Sequence, residues 1–174
     1  MAKTLSSVFV CVVLLGLSAF SQLTPTQQQD FNTYRLYHQF FSRVDTATRM
    51  TDRARAVGKD PYHRAGKMIQ NQIGLSDQEY EIVQTITMDC YGKLRASRAQ
   101  LKSAFQAFRT AHPNDPVPQD LKQQRLQSMQ QWQQTVFDHM AQLRASLGDA
   151  RFQQLDQWVR TSMHSSAPTT TGGK

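Results

Sequence analysis

The chain has 174 residues, a formal net charge of +7 with histidine neutral, and a composition that is 39% hydrophobic. That length suits one domain with a real apolar core, and two cysteines are too few for a disulfide scaffold. The basic balance favours anionic partners, or serves only to keep the protein in solution.

Met1 to Ser21 reads as a secretory leader. Lys3 supplies the positive n-region, Val8 to Leu17 carries no charge, and Ala19 and Ser21 are small residues at the positions a signal peptidase reads. Cleavage is expected after Ser21, giving a secreted or periplasmic protein. The apolar stretch is well short of the roughly 20 residues a spanning helix needs. Export takes nucleic acid off the expected partners. Protein clients or an envelope partner remain, together with an anionic envelope surface of lipid or cell-wall polymer. Cys11 leaves with the leader, so Cys90 stands alone in the mature chain. It is either buried as a small apolar side chain or, if exposed, able to bridge two chains.

Glycine and proline are few, and they fall between long stretches of helical periodicity. The expected fold is all-α: a long antiparallel helical hairpin within a bundle of four to five helices, in a single domain over residues 22–164. The first helix is predicted from Pro25 to Val57, with Phe31, Tyr34, Tyr37, Phe41, Val44 and Thr48 on one face. Asp60-Pro61 reads as a cap and first residue of a second, thinner helix reaching Ile73. Ser76 and Glu79 have the spacing of a capping box, with Leu75 and Tyr80 at the staple positions. They open a third helix from Asp77 to Ala111, about 50 Å long. Its predicted seam is Val83, Ile86, Cys90, Leu94, Ser97, Leu101, Ala104, Phe108 and Ala111.

The prolines at 113, 116 and 118 must break that helix and turn the chain back. Leu121, Arg125, Met129, Trp132, Val136, Met140, Leu143 and Leu147 then define the antiparallel partner, with the Arg125 stem lying along the seam. A last helix carries Phe152, Leu155, Trp158 and Val159. Ser165 to Lys174 is expected to be a disordered tail.

One helix start recurs, at Leu23-Thr24-Pro25-Thr26-Gln27, Leu75-Ser76-Asp77-Gln78-Glu79 and Leu147-Gly148-Asp149-Ala150-Arg151. Eight and eleven residues after each leucine stand apolar residues. The third copy, with Gly148 and Arg151, cannot make a reciprocal box. On these starts the chain resembles the Spy/CpxP-like family of bacterial periplasmic proteins, whose signature is L-T-x-x-Q; Leu23, Thr24 and Gln27 match it outright. The resemblance implies a small exported helical protein with a long hairpin, acting as an ATP-independent chaperone or as a restraint on an envelope-stress sensor. It also implies a homodimer, and metal binding as seen in some relatives.

The residues themselves offer little chemistry. The five histidines, His38, His63, His112, His139 and His164, form no i, i+4 pair and read as scattered surface side chains. Cys90 has no local histidine to activate it. Neither a phosphate loop nor a haem motif occurs. No cofactor, metal or catalytic residue is therefore expected. The glutamines Gln123, Gln124, Gln127, Gln130, Gln131, Gln133 and Gln134 predict a neutral, solvent-facing helix surface. Phe31, Tyr34, Tyr37, Phe40 and Phe41 are too many for one narrow stripe, so they are either deeply buried or a candidate surface for clients or a partner. The function expected is that of a cofactor-free binding protein of chaperone or stress-adaptor type. A metal- or signal-sensing protein and a structural envelope protein are the alternatives.

Overall fold

The computed structural model describes residues 25–58 and 64–164. Among them are five helices and no strand: α1 (Pro25–Ala56), α2 (Arg64–Ile73), α3 (Asp77–Ala111), α4 (Gln119–Leu147) and α5 (Asp149–His164). The fold is an all-α helical bundle containing the α3–α4 hairpin. The segments expected as leader and tail, Leu23, Thr24 and the expected Asp60-Pro61 cap lie outside the described residues. The chain divides into two compact units, with the boundary between Thr33 and Tyr34 inside α1. Of the first unit, the opening turns of α1 are described, and Gln27 and Phe31 are exposed there. The second unit begins at Tyr34 and contains all that follows.

The turn between α2 and α3 is tightly specified. Gly74, at φ +76°, takes the left-handed conformation that a residue with a Cβ resists. It lets the Leu75 N–H reach back to the Gln70 carbonyl (3.0 Å) and its own N–H to that of Asn71 (3.2 Å), a Schellman closure. The Gln70 amide, itself buried, donates to the Leu75 carbonyl and to Asp77 Oδ1. One residue on, the capping box forms as predicted. The Glu79 N–H donates to Ser76 Oγ (3.2 Å) and the Ser76 N–H to Glu79 Oε2 (2.7 Å). Leu75 and Tyr80 are both buried beneath it. The Tyr80 hydroxyl passes so close to Gly66 that a Cβ there would stand 2.9 Å from it.

The third helix start does something its sequence did not announce. Arg151 stands where a box would need an acceptor, and it reaches across to the second start instead. Its Nε donates to Glu79 Oε1 (2.7 Å) and its Nη2 to Glu79 Oε2 (2.8 Å) and the Gly74 carbonyl (2.7 Å). Two helix starts are thereby clamped together by one bidentate pair.

Buried residues of α3 step by three and four through Tyr80, Val83, Thr87, Cys90 and Leu94. Val136 and Leu143 of α4 join them, as do Tyr37, Phe40, Phe41 and Val44 of α1 and Leu155, Val159 and Met163 of α5. Cys90 is fully buried, which settles its role as packing. Tyr37 stacks on Phe152 at 6.3 Å, Phe40 meets Trp158 edge to face at 6.1 Å, and the Tyr37 hydroxyl donates to Asp156 Oδ1 (2.9 Å). Along this stretch α1 runs antiparallel to α3, joined by Gln84 to Thr48, Arg95 to Asp45 and Arg98 to His38.

The predicted seam needs correction in its outer half. Beyond Leu94 no α3 residue is buried, and on α4 the interior positions are Ser128, Val136, His139 and Leu143 rather than Met129 and Met140. Thr87 replaces Ile86, which is half-buried. Met129 stays 48% exposed and Leu126 56%.

Candidate functional site

The five aromatics proposed for clients do not form one surface. Tyr37, Phe40 and Phe41 are core residues with no exposure, Tyr34 is half-buried, and Phe31 is 46% exposed. Burial against Phe152 and Trp158 satisfies the apolar area of Tyr37 and Phe40 within the bundle, and of the five only Phe31 is exposed. Of the helix-start residues, Leu75, Ser76 and Glu79 build the α2–α3 junction, and Leu147 is half-buried at the end of α4. These are structural devices.

The exposed apolar surface lies instead on the outer half of the hairpin. A groove of about 510 Å³ is lined by Leu101, Phe105, Trp132 and their neighbours Arg98, Lys102 and Arg125. A second depression of about 390 Å³ shares Phe105 and Arg125 with it and adds Val117, Leu126 and Met129, with Lys122 at its rim. Arg98, Leu101, Lys102 and Phe105 fall at three- and four-residue steps, so large apolar side chains and cations occupy one face of α3. The lining has cations and no carboxylate. Arg109, at the far end, donates to the Asp115 carbonyl of the turn (3.2 Å). Trp132 is fixed by its Nε1–H donating to Ser97 Oγ (2.8 Å), and the Arg98 guanidinium lies 5.2 Å over its ring.

Helical periodicity places Leu101, Ala104, Met129 and Trp132 in the seam between α3 and α4, which hides this surface from the sequence. The signal was present in Arg98, Lys102 and Arg125, because cations recurring on an apolar face mark a surface that meets both water and an apolar partner. The glutamine surface is as expected, with Gln123, Gln124, Gln127, Gln130, Gln131 and Gln134 exposed and Gln133 half-buried.

Two histidines depart from the scattered-surface reading. His139 is buried, with Nδ1 2.6 Å from the Thr135 carbonyl and Nε2 2.9 Å from Asp89 Oδ2. Asp89 also accepts from Lys93 Nζ (2.6 Å), and Lys93 and His139 hold its carboxyl below the usual range. Each ring nitrogen thus has an oxygen within hydrogen-bond distance inside the fold. His38 is half-buried against Arg98. His63 and the His164 side chain lie outside the described residues. Among the described residues no three His, Cys, Asp or Glu converge on a point where a metal would sit. Burial pushes the Cys90 thiol up to about 12, which leaves no thiolate for nucleophilic work near neutral pH.

A polar cavity of about 460 Å³ between α1, α2 and α3 is lined by Asp52, Arg55, Lys67, Tyr80, Glu81 and Gln84 among others. Both charge signs are present. Its amides bond to the protein itself, Gln84 to Thr48 and Gln70 to Asp77. Among the described residues no helix is long and apolar enough to cross a membrane.

Comparison with protein-family models, with curated proteins and with solved structures gave no match.

Proposed function

We propose that this is an exported, cofactor-free helical binding protein of chaperone or envelope-stress-adaptor type, similar in plan to Spy/CpxP-like proteins. Its working surface is the outer half of the α3–α4 hairpin. The observation that carries this reading is the pair of adjoining apolar depressions that share Phe105 and Arg125. Leu126 and Met129 are left exposed there, at 56% and 48%.

The occupant we assign is an apolar segment of a protein client with acidic flanks. The apolar floor gains by covering Leu101, Phe105, Leu126 and Met129, and the cationic rim attracts carboxylates while disfavouring a second copy of this basic chain. Because the rim charges are exposed, they contribute to encounter rate and selectivity more than to affinity.

An aggregation assay tests the proposal. The protein should slow light scattering by a chemically unfolded client without nucleotide or metal. The double variant Leu126→Ser with Met129→Ser should keep its thermal midpoint, both side chains being about half exposed, and lose most of the protection. Full protection by that variant would contradict the assigned surface.

A further inference from the structure

We infer that His38 is a proton-operated positioning residue for the hairpin groove: its neutral imidazole holds Arg98 over Trp132, and its protonation releases Arg98 and uncovers the Trp132 face. This rests on the proposed reading of the groove as the client surface.

The Arg98 guanidinium has N–H donors and no acceptor. Its Nη2 lies 2.6 Å from His38 Nε2, so that nitrogen must present a lone pair and the ring proton must sit on Nδ1. On its other side the same guanidinium covers Trp132 at 5.2 Å, and both residues line the groove of about 510 Å³. One cation thus spans a titratable acceptor on α1 and the aromatic floor formed by α4.

Few other groups compete for His38. From its own helix the Tyr34 ring stands 5.7 Å away, and from α3 the Tyr91 ring stands 5.6 Å away. Burial holds the Tyr34 phenol above its usual range, so it stays neutral, and its oxygen is a second acceptor for Arg98 beside His38. Arg95 lies over Tyr91 and is paired with Asp45, two turns along α1 from His38. Arg35, one turn back, is exposed. From α4, Trp132 is reached through Arg98. The geometry therefore sets no carboxylate against His38 to welcome a proton. Burial and the Arg98 charge together hold its imidazole below the usual histidine range.

Protonation fills the Nε2 lone pair and places two cations at hydrogen-bond distance. The contact cannot survive that change. Arg98 then keeps the Tyr34 phenol, which already accepts from it, and water as its better partners, and the Trp132 face loses its cover.

Nuclear magnetic resonance can follow this directly, because the chain has two tryptophans and a Trp132→Phe variant assigns the two indole N–H signals. Between about pH 7.5 and about pH 5, the Trp132 signal should move with a midpoint below the usual histidine value. In His38→Gln, whose amide oxygen accepts from Arg98 at every pH, it should stay fixed. Binding of the dye bis-ANS should rise about fivefold on acidification in the native protein and not in His38→Gln. A Trp132 signal that does not move, or that moves equally in His38→Gln, overturns the proposal. So does a signal that moves as expected while dye binding stays constant, since the groove would then be uncoupled from His38. The Leu126 and Met129 variants judge the groove itself at neutral pH, so its failure is separable from this one.

Discussion

The Glu79 carboxylate closes the capping box on Ser76 and accepts the Arg151 fork at the same time. The Arg151 hydrogen bonds first, and the Ser76 N–H second, hold its carboxyl down to about 2 from an ordinary 4.5. A carboxylate that binds protons less readily in the folded chain stabilises the fold fully above about pH 4.5. That contribution is lost as pH falls toward about 2. Arg151→Ala removes the larger cause, so it should lower the thermal midpoint near neutral pH. Its deficit relative to the native protein should shrink at about pH 3, where Glu79 begins to take up a proton. Thermal unfolding followed by circular dichroism at the two pH values checks this. A deficit that grows in acid would place the stabilising charge elsewhere. Nothing in the local sequence pointed to this clamp, because Arg151 spoils its own box and its partner lies 72 residues away.

Helices, by contrast, were legible nearly to the residue where local chemistry sets their ends. α3 runs from Asp77 to Ala111 because a capping box starts it and prolines stop it. Removing the box by Ser76→Ala should lower stability by about 1 kcal/mol, measured as a shift in the urea midpoint with an unchanged slope. A shift within error would mean that the Gly74 closure and the Arg151 clamp carry the junction alone. What the sequence did not give was the rotation of α4. Val136 and Leu143 fit the predicted stripe, but His139 takes an interior place beside them because Asp89 and the Thr135 carbonyl satisfy it. Met140 is displaced to the margin. A periodic pattern ranks side chains by apolarity, and it cannot see a long-range acceptor that makes a histidine acceptable inside. The same blindness put Met129 in the seam and hid the groove. The aromatic cluster of α1 was ambiguous for a related reason, since only Phe152 and Trp158, more than a hundred residues on, decide that Tyr37 and Phe40 are core.

At the scale of the molecule the hairpin has two unlike halves. The inner half shares Val83, Cys90, Leu94, Val136 and Leu143 with a core drawn from every helix of the second unit. The outer half keeps large apolar side chains at its surface among Arg98, Lys102, Lys122 and Arg125. Packing thus anchors one end and leaves the other as a platform, the arrangement a client-binding protein needs if its working surface is to stay exposed without loosening the fold. The most direct measurement is photo-crosslinking to an unfolded client, with a photoreactive side chain placed in turn at Leu126 and Met129 and, as equally exposed controls, at Met68 of α2 and Met50 of α1. Strong crosslinks from the two hairpin positions and weak ones from the controls are the expected result. Equal crosslinking from all four positions would contradict the assignment of the hairpin groove as the client surface.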